Sequence, residues 1–271
     1  MTIDEALQEA TFTLVGVCEN PARVAKILLM HHLNVNIEWV FLNLKKELEK
    51  KSEYFDLISR FKSYEPLEYI TGVSSFYGLE FNTRKGVLIP RPETEILVDK
   101  SLEILKKFKK SKVCEIGAGS GIISICLALK TDAIITATDI NEKALQLAYE
   151  NAVKFGVADR IEFVCCSYMD SVLGEFDMIV SNPPYIKNSY NLDKFVLNEP
   201  KEALFGGDIG DEILKNIILI AKKRKIKFIA CEMGYDQKAS LSDTLNLSGY
   251  EAKFYQDLAG FDRGFVARLK L

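Results

Sequence analysis

Short apolar segments alternate with helical patterns along the chain after Glu95, and this alternation limits the fold more than any other feature. The apolar segments are KVCEIG, AIITATDI, RIEFVCC, FDMIVSN and KFIACEM. Strands that alternate with helices are typical of a doubly wound α/β sheet, in which helices cover both faces. The chain ends in YEAKFYQD and GFVARLKL, two strand patterns that a short loop joins, so we expect the last strand to run antiparallel.

The first 73 residues carry the periodicity of helices instead. Their apolar stripes are Ile3–Ala10, Val24–Leu28, Ile37–Leu48 and Tyr54–Phe61. Asn20 followed by Pro21 predicts the start of the second helix, because asparagine is a good N-cap and proline fits the first turn. Each stripe is too narrow to bury a core alone, so residues 1–73 are predicted to form a small helical bundle.

Residues 74–89 separate these two regions. The segments SSFYGLEF and GVLIP flank NTRKG, a polar turn that ends in glycine. Two strand patterns around such a turn predict a β-hairpin. We therefore expect a helical bundle over residues 1–73, a hairpin linker over 74–89 and an α/β domain over 90–271.

The charge balance of the 271-residue chain limits its partners. The formal net charge is −3 and the pI is about 5.7, which argues against a broad phosphate-binding surface but allows a protein partner or a local RNA contact. Two basic runs, Lys106–Lys112 and Lys222–Lys227, each precede a strand pattern. We expect them at the amino edge of the sheet, where they complement helix dipoles rather than guide a substrate.

Cysteine usage and hydropathy favour a cytoplasmic protein without a metal site. The six cysteines form no CxxC pair and no Cys/His pair at ligand spacing, so we expect most of them to be reduced core residues. No N-terminal stretch has the features of a leader sequence. The longest apolar stretches, such as GIISICLAL, are too short to span a bilayer.

The segment CEIGAGSG lies where the first strand of the sheet passes into a helix. Glycines let the backbone turn sharply beside a ligand, and the free N–H groups of a helix N-terminus attract anions. Alone, such a turn is compatible with NAD, with S-adenosylmethionine or with packing only. The GxGxG spacing, with Glu115 just before it, favours S-adenosylmethionine.

Asp139 ends the second strand, where its carboxylate can accept hydrogen bonds from both ribose hydroxyls of a nucleoside. The alternative is that Asp139 caps the following helix, although Asn141 is also placed to do so. We favour the ligand role because the glycine-rich turn precedes it in the same sheet.

The segment SNPPY, Ser181–Tyr185, follows the fourth strand, so Asn182 is expected to face the same crevice as the glycine-rich turn. Pro183 and Pro184 have no N–H, which leaves the Asn182 side-chain oxygen and the carbonyls around Pro183 as acceptors. Acceptors alone suit an uncharged NH₂ group on an sp² carbon, and Tyr185 offers a flat face for a planar amide or base. The alternative is a simple turn, which Asn-Pro and Pro-Pro often form.

Such an NH₂ group is a poor nucleophile because its lone pair is delocalised. Two hydrogen bonds that suit a pyramidal nitrogen localise the lone pair, and alignment with the methyl sulfonium exploits proximity. The methylated nitrogen is acidic, so no strong base is needed, in keeping with the location of His31 and His32 in the helical region. From the residues alone, a glutamine amide and the amino groups of adenine, cytosine and guanine all remain possible acceptors.

The sequence also resembles the PrmC/HemK protein-glutamine N5-methyltransferases over nearly its whole length. The motifs are PLEYITG (66–72), FYGLEF (76–81), VLIPRPETEILV (87–98), EIGAGSGIISI (115–125), ATDI (137–140), SNPPYI (181–186), NEPKEALFGG (198–207) and DLAGFDRGFVAR (257–268). Many amino methyltransferases share NPPY and the glycine-rich turn, whereas IPRPETE is far more specific to this family. The family modifies the Gly-Gly-Gln motif of peptide-chain release factors.

The resemblance implies a seven-stranded, Rossmann-like methyltransferase sheet and transfer of a methyl group from S-adenosylmethionine to the glutamine N5. The implied cofactor-binding residues are Glu115, Gly117, Ala118, Gly119, Ser120, Gly121, Asp139, Ser167, Tyr168 and Asn182, with Tyr168 beside the adenine. The implied catalytic residues are Asn182, Pro183 and Tyr185, and the implied substrate-binding residues are these three with Pro184, Arg91 and Glu93.

IPRPETE has a simpler interpretation beside this one, namely a proline-stiffened linker before a helix that Thr94 or Glu95 caps. Two other functions are also open: an amino methyltransferase for DNA or RNA bases, which would want a basic region beside the crevice, and a scaffold that binds S-adenosylmethionine without catalysis. We expect a monomer that binds release factors and contacts neither nucleic acid nor membrane.

Overall fold

The computed structural model describes residues 1–270, which fall into two compact units. A helical unit contains Met1–Val73 together with Leu192–Asn198, and a sheet unit contains Ser74–Asn191 and the chain from Glu199 onward. The short segment 192–198 is therefore packed with the helical unit although it lies between two stretches of the sheet unit in sequence.

The helical unit is built from five helices around one apolar cluster. They are α1 (Ile3–Thr13), α2 (Pro21–Leu33), α3 (Ile37–Leu42), α4 (Lys51–Lys62) and α5 (Leu67–Thr71). As predicted, Asn20 caps α2, since its side chain accepts a hydrogen bond from the Arg23 N–H at 3.1 Å. The phenol of Tyr54 donates to the Ala25 carbonyl at 3.0 Å, which satisfies the one polar atom of a fully buried ring.

The predicted third stripe, Ile37–Leu48, does not form the buried face of one helix. Helix α3 ends at Leu42, and Phe41 is 58% exposed rather than buried. Leu48 reaches the core from extended chain instead, because Glu47 forms an isolated bridge with Thr2. The apolar spacing of three and four residues therefore spans two different structures here, the short helix α3 and an extended segment.

Phe195 anchors the segment Leu192–Asn198 within the helical unit. Its ring centroid lies 4.8 Å from that of Phe61 and 5.4 Å from that of Tyr64. Lys194 donates to the Tyr64 hydroxyl at 3.1 Å, and the Asn198 side chain donates to the Tyr64 carbonyl at 2.9 Å.

The predicted pairing of SSFYGLEF with GVLIP is wrong, because the hairpin of this region is centred on SSFYGLEF itself. Strand β1 is Val73–Phe76 and strand β2 is Leu79–Asn82, so Tyr77 and Gly78 form the turn instead of NTRKG, and GVLIP forms no strand. Both turn residues have positive φ, 54° and 72°, which is what the favoured two-residue hairpin turns require. The Glu95 carboxylate accepts from the Tyr77 N–H at 2.7 Å and holds this turn.

The sheet unit continues with nine strands and five helices. The strands are β3 (Lys112–Ile116), β4 (Ile134–Asp139), β5 (Ile161–Cys165), β6 (Met178–Ser181), β7 (Ile186–Lys187), β8 (Phe205–Gly207), β9 (Phe228–Glu232), β10 (Tyr250–Gln256) and β11 (Asp262–Leu269). The helices are α6 (Thr94–Leu105), α7 (Ile122–Lys130), α8 (Glu142–Lys154), α9 (Glu212–Lys223) and α10 (Lys238–Leu247).

Seven of these strands form one sheet in the order β10-β11-β9-β6-β3-β4-β5, which confirms the predicted fold class. Strands β3, β4, β5, β6 and β9 pair in parallel, and β11 runs antiparallel to both β9 and β10, as predicted. The chain proceeds from β3 to β4 on one side and later returns to β6 on the other. This reversal at β3 is where ligands bind in open α/β sheets.

Adjacent residues of the central strands face two different cores. Val113 and Met178 pack with α6 and α7, whereas Cys114 and Ile179 pack with α9 and α10. Because successive side chains of a strand point to opposite faces, strands buried on both faces read as continuous apolar runs.

The two basic runs end where β3 and β9 begin, so they lie at the amino edge of the sheet, whereas Asp139 and Asn182 lie at its carboxyl edge. None of the helices within residues 1–270 combines the length and the apolar character that a membrane crossing requires.

We predict that Phe195→Ala releases the segment 192–198. The two ring pairs are worth about 1 kcal/mol each, so their loss should increase local opening by about 30-fold. Limited proteolysis within this segment measures the opening. Phe12→Ala, which removes an 82% exposed ring from the same unit, is the control and should leave cleavage unchanged. Equal cleavage of Phe195→Ala and the parent would show that Phe195 does not anchor the segment.

Candidate active site

A cleft lies at the carboxyl ends of β3, β4, β5 and β6, within the sheet unit. It is lined by Gly117 and Gly119 after β3, Asp139 at the end of β4, Ser167 and Tyr168 after β5, and Asn182, Pro183 and Pro184 after β6. An adjoining hollow shares Gly117, Gly119 and Asn182 and is also lined by Arg91, Thr94, Glu115, Ala118 and Ser120. The structure thus brings together most of the residues that the sequence nominated.

The glycine-rich turn is shaped by hydrogen bonds to β4. The Gly117 and Ala118 N–H groups both donate to the Thr138 carbonyl, at 2.8 and 2.9 Å. Gly117 and Gly119 have φ of 77° and 55°, a region that side chains rarely adopt. Gly121 faces away from the cleft, because a Cβ there would lie 3.0 Å from the Ala148 Cβ, so this glycine lets α7 approach α8.

Asp139 forms hydrogen bonds that support the turn, and its carboxylate can still accept others. Its Oδ2 accepts from the Gly119 N–H and its Oδ1 from the Asn141 N–H, each at 2.9 Å. Each oxygen keeps a further lone pair for a ligand. Asn141, not Asp139, caps α8, since its side chain accepts from the Lys143 N–H at 3.0 Å. Burial raises the pKa of Asp139 and these backbone donors oppose the rise.

Glu115 lies fully buried beneath the turn and carries an unpartnered oxygen. Its Oε2 accepts from the N–H of Ser124 at 3.0 Å and from the Ser124 hydroxyl. Its Oε1 has no hydrogen-bond partner among residues 1–270. Burial raises the pKa of Glu115 to about 8, although both bonds from Ser124 oppose this rise. An acceptor of this kind beside the hollow fits a ligand that carries donors.

The segment Ser181–Tyr185 is held by side chains of neighbouring elements. The Ser181 hydroxyl donates to the Ile116 carbonyl at 2.6 Å, which ties the end of β6 to the end of β3. The Asn182 Nδ2 donates to the Thr94 hydroxyl at 2.9 Å. Within the described chain, neither Asn182 Oδ1 nor the Pro183 carbonyl receives a hydrogen bond, so both acceptors are free.

Tyr185 lies behind the cleft rather than in its lining. Its hydroxyl donates to Glu232 Oε1 at 2.8 Å, and its carbonyl accepts from the Gln237 Nε2, also at 2.8 Å. Burial raises the pKa of Tyr185, so the phenol stays protonated. Both ends of the residue are therefore fixed.

Arg91 and Glu93 differ in their surroundings. The Arg91 guanidinium forms an ion pair with Glu199, whose carboxylate also accepts from the Ile89 N–H at 3.0 Å. Arg91 therefore fastens IPRP to the start of NEPKEALFGG. Glu93 is half-buried at the start of α6 and makes no capping bond.

The predicted capping role of Thr94 or Glu95 is wrong. The Thr94 hydroxyl donates to Glu232 Oε2 at 2.7 Å and accepts from Asn182. Glu95 binds the hairpin turn at Tyr77. Sequence reasoning missed Glu232 altogether, although a lone acid that ends the apolar segment KFIACEM was a signal.

The buried position of Glu115 predicts a dependence of stability on pH. The pKa of this group is about 8 in the folded chain against an ordinary value of 4.5, so between these pH values the folded state holds the extra proton. The free energy of unfolding should therefore fall as pH rises from about 5 to 8, by at most about 1.4 kcal/mol per pH unit for this group. The raised pKa values of Asp139 and Glu232 act in the same direction.

Urea unfolding at several pH values measures this slope. Glu115→Gln should make it shallower, whereas Glu251→Gln, which removes an exposed carboxylate of β10, should not. An unchanged slope in Glu115→Gln would contradict the assignment.

Comparison with known proteins places this geometry in a family. Residues 5–72 match the model of the PrmC N-terminal domain, and residues 93–207 match that of the methyltransferase small domain. The release factor glutamine methyltransferase of Clostridium botulinum is 38% identical, over 81% of this chain and 81% of that protein. The protein of the same name from Aquifex aeolicus is 34% identical, over 91% of this chain and 90% of its own.

Solved methyltransferase structures share the fold over about two thirds of the chain, at lower identity. The ribosomal protein L11 methylase of Lactobacillus delbrueckii superposes with a TM-score of 0.53 at 21% identity, over 69% of this chain and 84% of its own. The Mtq2-Trm112 complex of E. cuniculi gives 0.52 at 17% identity, over 68% of this chain and 99% of that chain. The resemblance stated from the motifs is confirmed: the chain belongs to the release factor glutamine methyltransferase family, whose members are S-adenosylmethionine-dependent enzymes.

Proposed function

We propose that this protein transfers a methyl group from S-adenosylmethionine to the side-chain amide nitrogen of the glutamine in the Gly-Gly-Gln motif of peptide-chain release factors. The proposal rests on family membership and on one observation in the cleft. Two unpartnered acceptors, Asn182 Oδ1 and the Pro183 carbonyl, lie beside the glycine-rich turn and Asp139. An amide NH₂ has two donors to match them.

The groups around the cleft fit S-adenosylmethionine, which supplies a methyl group on a positively charged sulfur when bound. Asp139 would accept from the ribose hydroxyls, and Ser167 and Tyr168 would lie at the adenine. Glu115, with Gly117–Ser120, would hold the amino-acid end, since the free Glu115 oxygen can accept from an ammonium group.

Asn182 and Pro183 would act on the substrate nitrogen. Hydrogen bonds from both N–H groups to these acceptors suit a pyramidal nitrogen, and so they localise its lone pair for attack. Orientation of the reacting atoms is worth up to about 7–11 kcal/mol. Acceptors that match the developing charge add about 3 kcal/mol each, by analogy with oxyanion-hole donors. The methylated nitrogen then loses a proton readily, so no general base is required.

The surrounding residues would complete the substrate site. Pro184 would form the wall against which the glutamine amide lies, and the fixed Tyr185 ring would support this wall from behind. Arg91 would act by holding the loop at Glu199, and Glu93 would contact the approaching Gly-Gly-Gln segment.

The helical unit would contribute its own contacts to a release factor. The protein would act as a monomer in the cytoplasm, without direct contact to nucleic acid. The two basic runs support the proposal that nucleic acid is not the substrate, because they lie at the amino edge of the sheet, opposite Asn182.

Methylation of a purified release factor tests the proposal. Tryptic mass spectrometry should locate one added methyl group on the Gly-Gly-Gln peptide. Asn182→Ala should lower kcat by at least about 100-fold, as removal of an oxyanion-hole group does, while S-adenosylmethionine still binds. The matched control is Asn188→Ala, an exposed asparagine that bonds Asp208. A DNA or rRNA fragment that accepts methyl groups better, or an Asn182→Ala variant as active as the parent, would contradict the proposal.

The helical unit gives a separate prediction. Deletion of residues 1–70 should leave the affinity for S-adenosylmethionine within about twofold but weaken methylation of the whole release factor by at least about tenfold, a loss of about 1.4 kcal/mol of docking energy. Methylation of a short Gly-Gly-Gln peptide should change little. Equal losses on the protein and the peptide would exclude a docking role.

A further inference from the structure

Glu232 lies at the centre of a hydrogen-bond chain that reaches both polar side chains of the NPPY segment. It is the last residue of β9 and is 1% exposed. Its Oε2 accepts from the Thr94 hydroxyl at 2.7 Å, and its Oε1 accepts from the Tyr185 hydroxyl at 2.8 Å. The Thr94 oxygen in turn accepts from the Asn182 Nδ2 at 2.9 Å.

The direction of each bond follows from proton counting. A hydroxyl has one proton, so Thr94, which donates to the carboxylate, can only accept from Asn182. Only the NH₂ end of the Asn182 amide can satisfy that demand, which turns Oδ1 away from Thr94. The carboxylate therefore decides, through one intervening hydroxyl, which end of the Asn182 amide is left for a ligand.

We propose that Glu232 is a positioning residue for methyl transfer, which sets the amide orientation of Asn182 through Thr94 and the ring position of Tyr185 through its hydroxyl. The kinetic consequence rests on the proposed function, whereas the orientation itself depends only on the hydrogen-bond chain. Glu232 touches no reacting atom in this scheme.

Burial of this carboxylate is costly, which argues for a role beyond stability. Burial raises the pKa of Glu232, while the bonds from Thr94 and Tyr185 and the nearby Arg263 guanidinium oppose the rise. Buried ionic groups are often replaced by apolar residues without loss of stability. A fully enclosed acid with hydroxyl donors on both oxygens is better explained by the orientation that it imposes.

Substitutions separate this role from packing. Glu232→Gln keeps the shape but places an NH₂ donor where an acceptor stood. If that group donates to Thr94, the Thr94 proton turns toward Asn182, whose amide must then flip and offer its nitrogen to the cleft. Thr94→Val removes the intervening hydroxyl at constant shape, and Thr94→Ser keeps it.

Steady-state kinetics of the full chain on a release factor form the first test. By analogy with outer-shell partners of metal ligands, Glu232→Gln and Thr94→Val should lower kcat by about 10- to 100-fold. The KM for S-adenosylmethionine should stay within about twofold, and Thr94→Ser should recover at least about a third of the parent kcat, because its hydroxyl preserves the proton arrangement.

Ser101→Ala, which removes another buried hydroxyl of α6, is the control and should keep the parent kcat. A Thr94→Val variant with parent kcat, or Thr94→Ser as impaired as Thr94→Val, would overturn the proposal.

Side-chain amide NMR of the asparagine-labelled full chain is the second test and needs no methyl acceptor. The Asn182 NH₂ signals, identified by their loss in Asn182→Asp, should shift in Thr94→Val and Glu232→Gln but not in Thr94→Ser or Ser101→Ala. Unshifted signals would overturn the positioning role. If the variants show these shifts but the parent protein methylates no release factor, the proposed function is refuted and the positioning of Asn182 by Glu232 remains supported.

Discussion

The hydrogen bond from the Asn182 side-chain nitrogen to Thr94 determines what the cleft offers to a ligand. Because the nitrogen is committed, the oxygen remains, and next to it lies the carbonyl of Pro183, in a segment that two prolines have stripped of donors. The sheet unit holds this pair of acceptors beside the glycine-rich turn. Thr94 begins α6, Asn182 follows β6 and Glu232 ends β9, so three distant parts of the chain meet at one edge of the sheet.

The parallel sheet makes that meeting possible. Strand β6 lies between β3 and β9, and parallel strands bring all three carboxyl ends to the same edge. The hydrogen bond from the Ser181 hydroxyl to the Ile116 carbonyl then holds the end of β6 beside the end of β3. Two buried acids, Glu115 and Glu232, and the half-buried Asp139 lie near this edge, and burial raises the pKa of each. Acids with raised pKa values that gather around a cleft are typical of functional sites rather than of packing.

The sequence predicted the sheet and its antiparallel last strand because alternating helical and apolar patterns repeat over most of the chain. It also predicted that Gly117, Asp139 and Asn182 share a cleft, because each follows a strand of that sheet. Local sequence patterns that are compatible with more than one structure were less reliable predictors. The polar segment NTRKG resembles a turn, but Tyr77 and Gly78 adopt the left-handed geometry that a two-residue hairpin needs.

Thr94 shows why the remaining contacts could not be read from the chain. A threonine before a helical pattern has the same local signature whether it caps the helix or bonds a distant group, and its partner Glu232 lies on a strand far away in sequence. Likewise, nothing local to Phe195 indicates that its segment packs with the helical unit. Contacts between residues that are distant in sequence can be identified only once the fold is known.

A crystal structure of this protein with S-adenosylhomocysteine and a Gly-Gly-Gln peptide would show directly which end of the Asn182 amide meets the glutamine. We expect the glutamine side-chain nitrogen to lie about 3 Å from both Asn182 Oδ1 and the Pro183 carbonyl, with the Asn182 nitrogen still bonded to Thr94. A glutamine that binds elsewhere, or that meets the Asn182 nitrogen instead of its oxygen, would contradict this expectation.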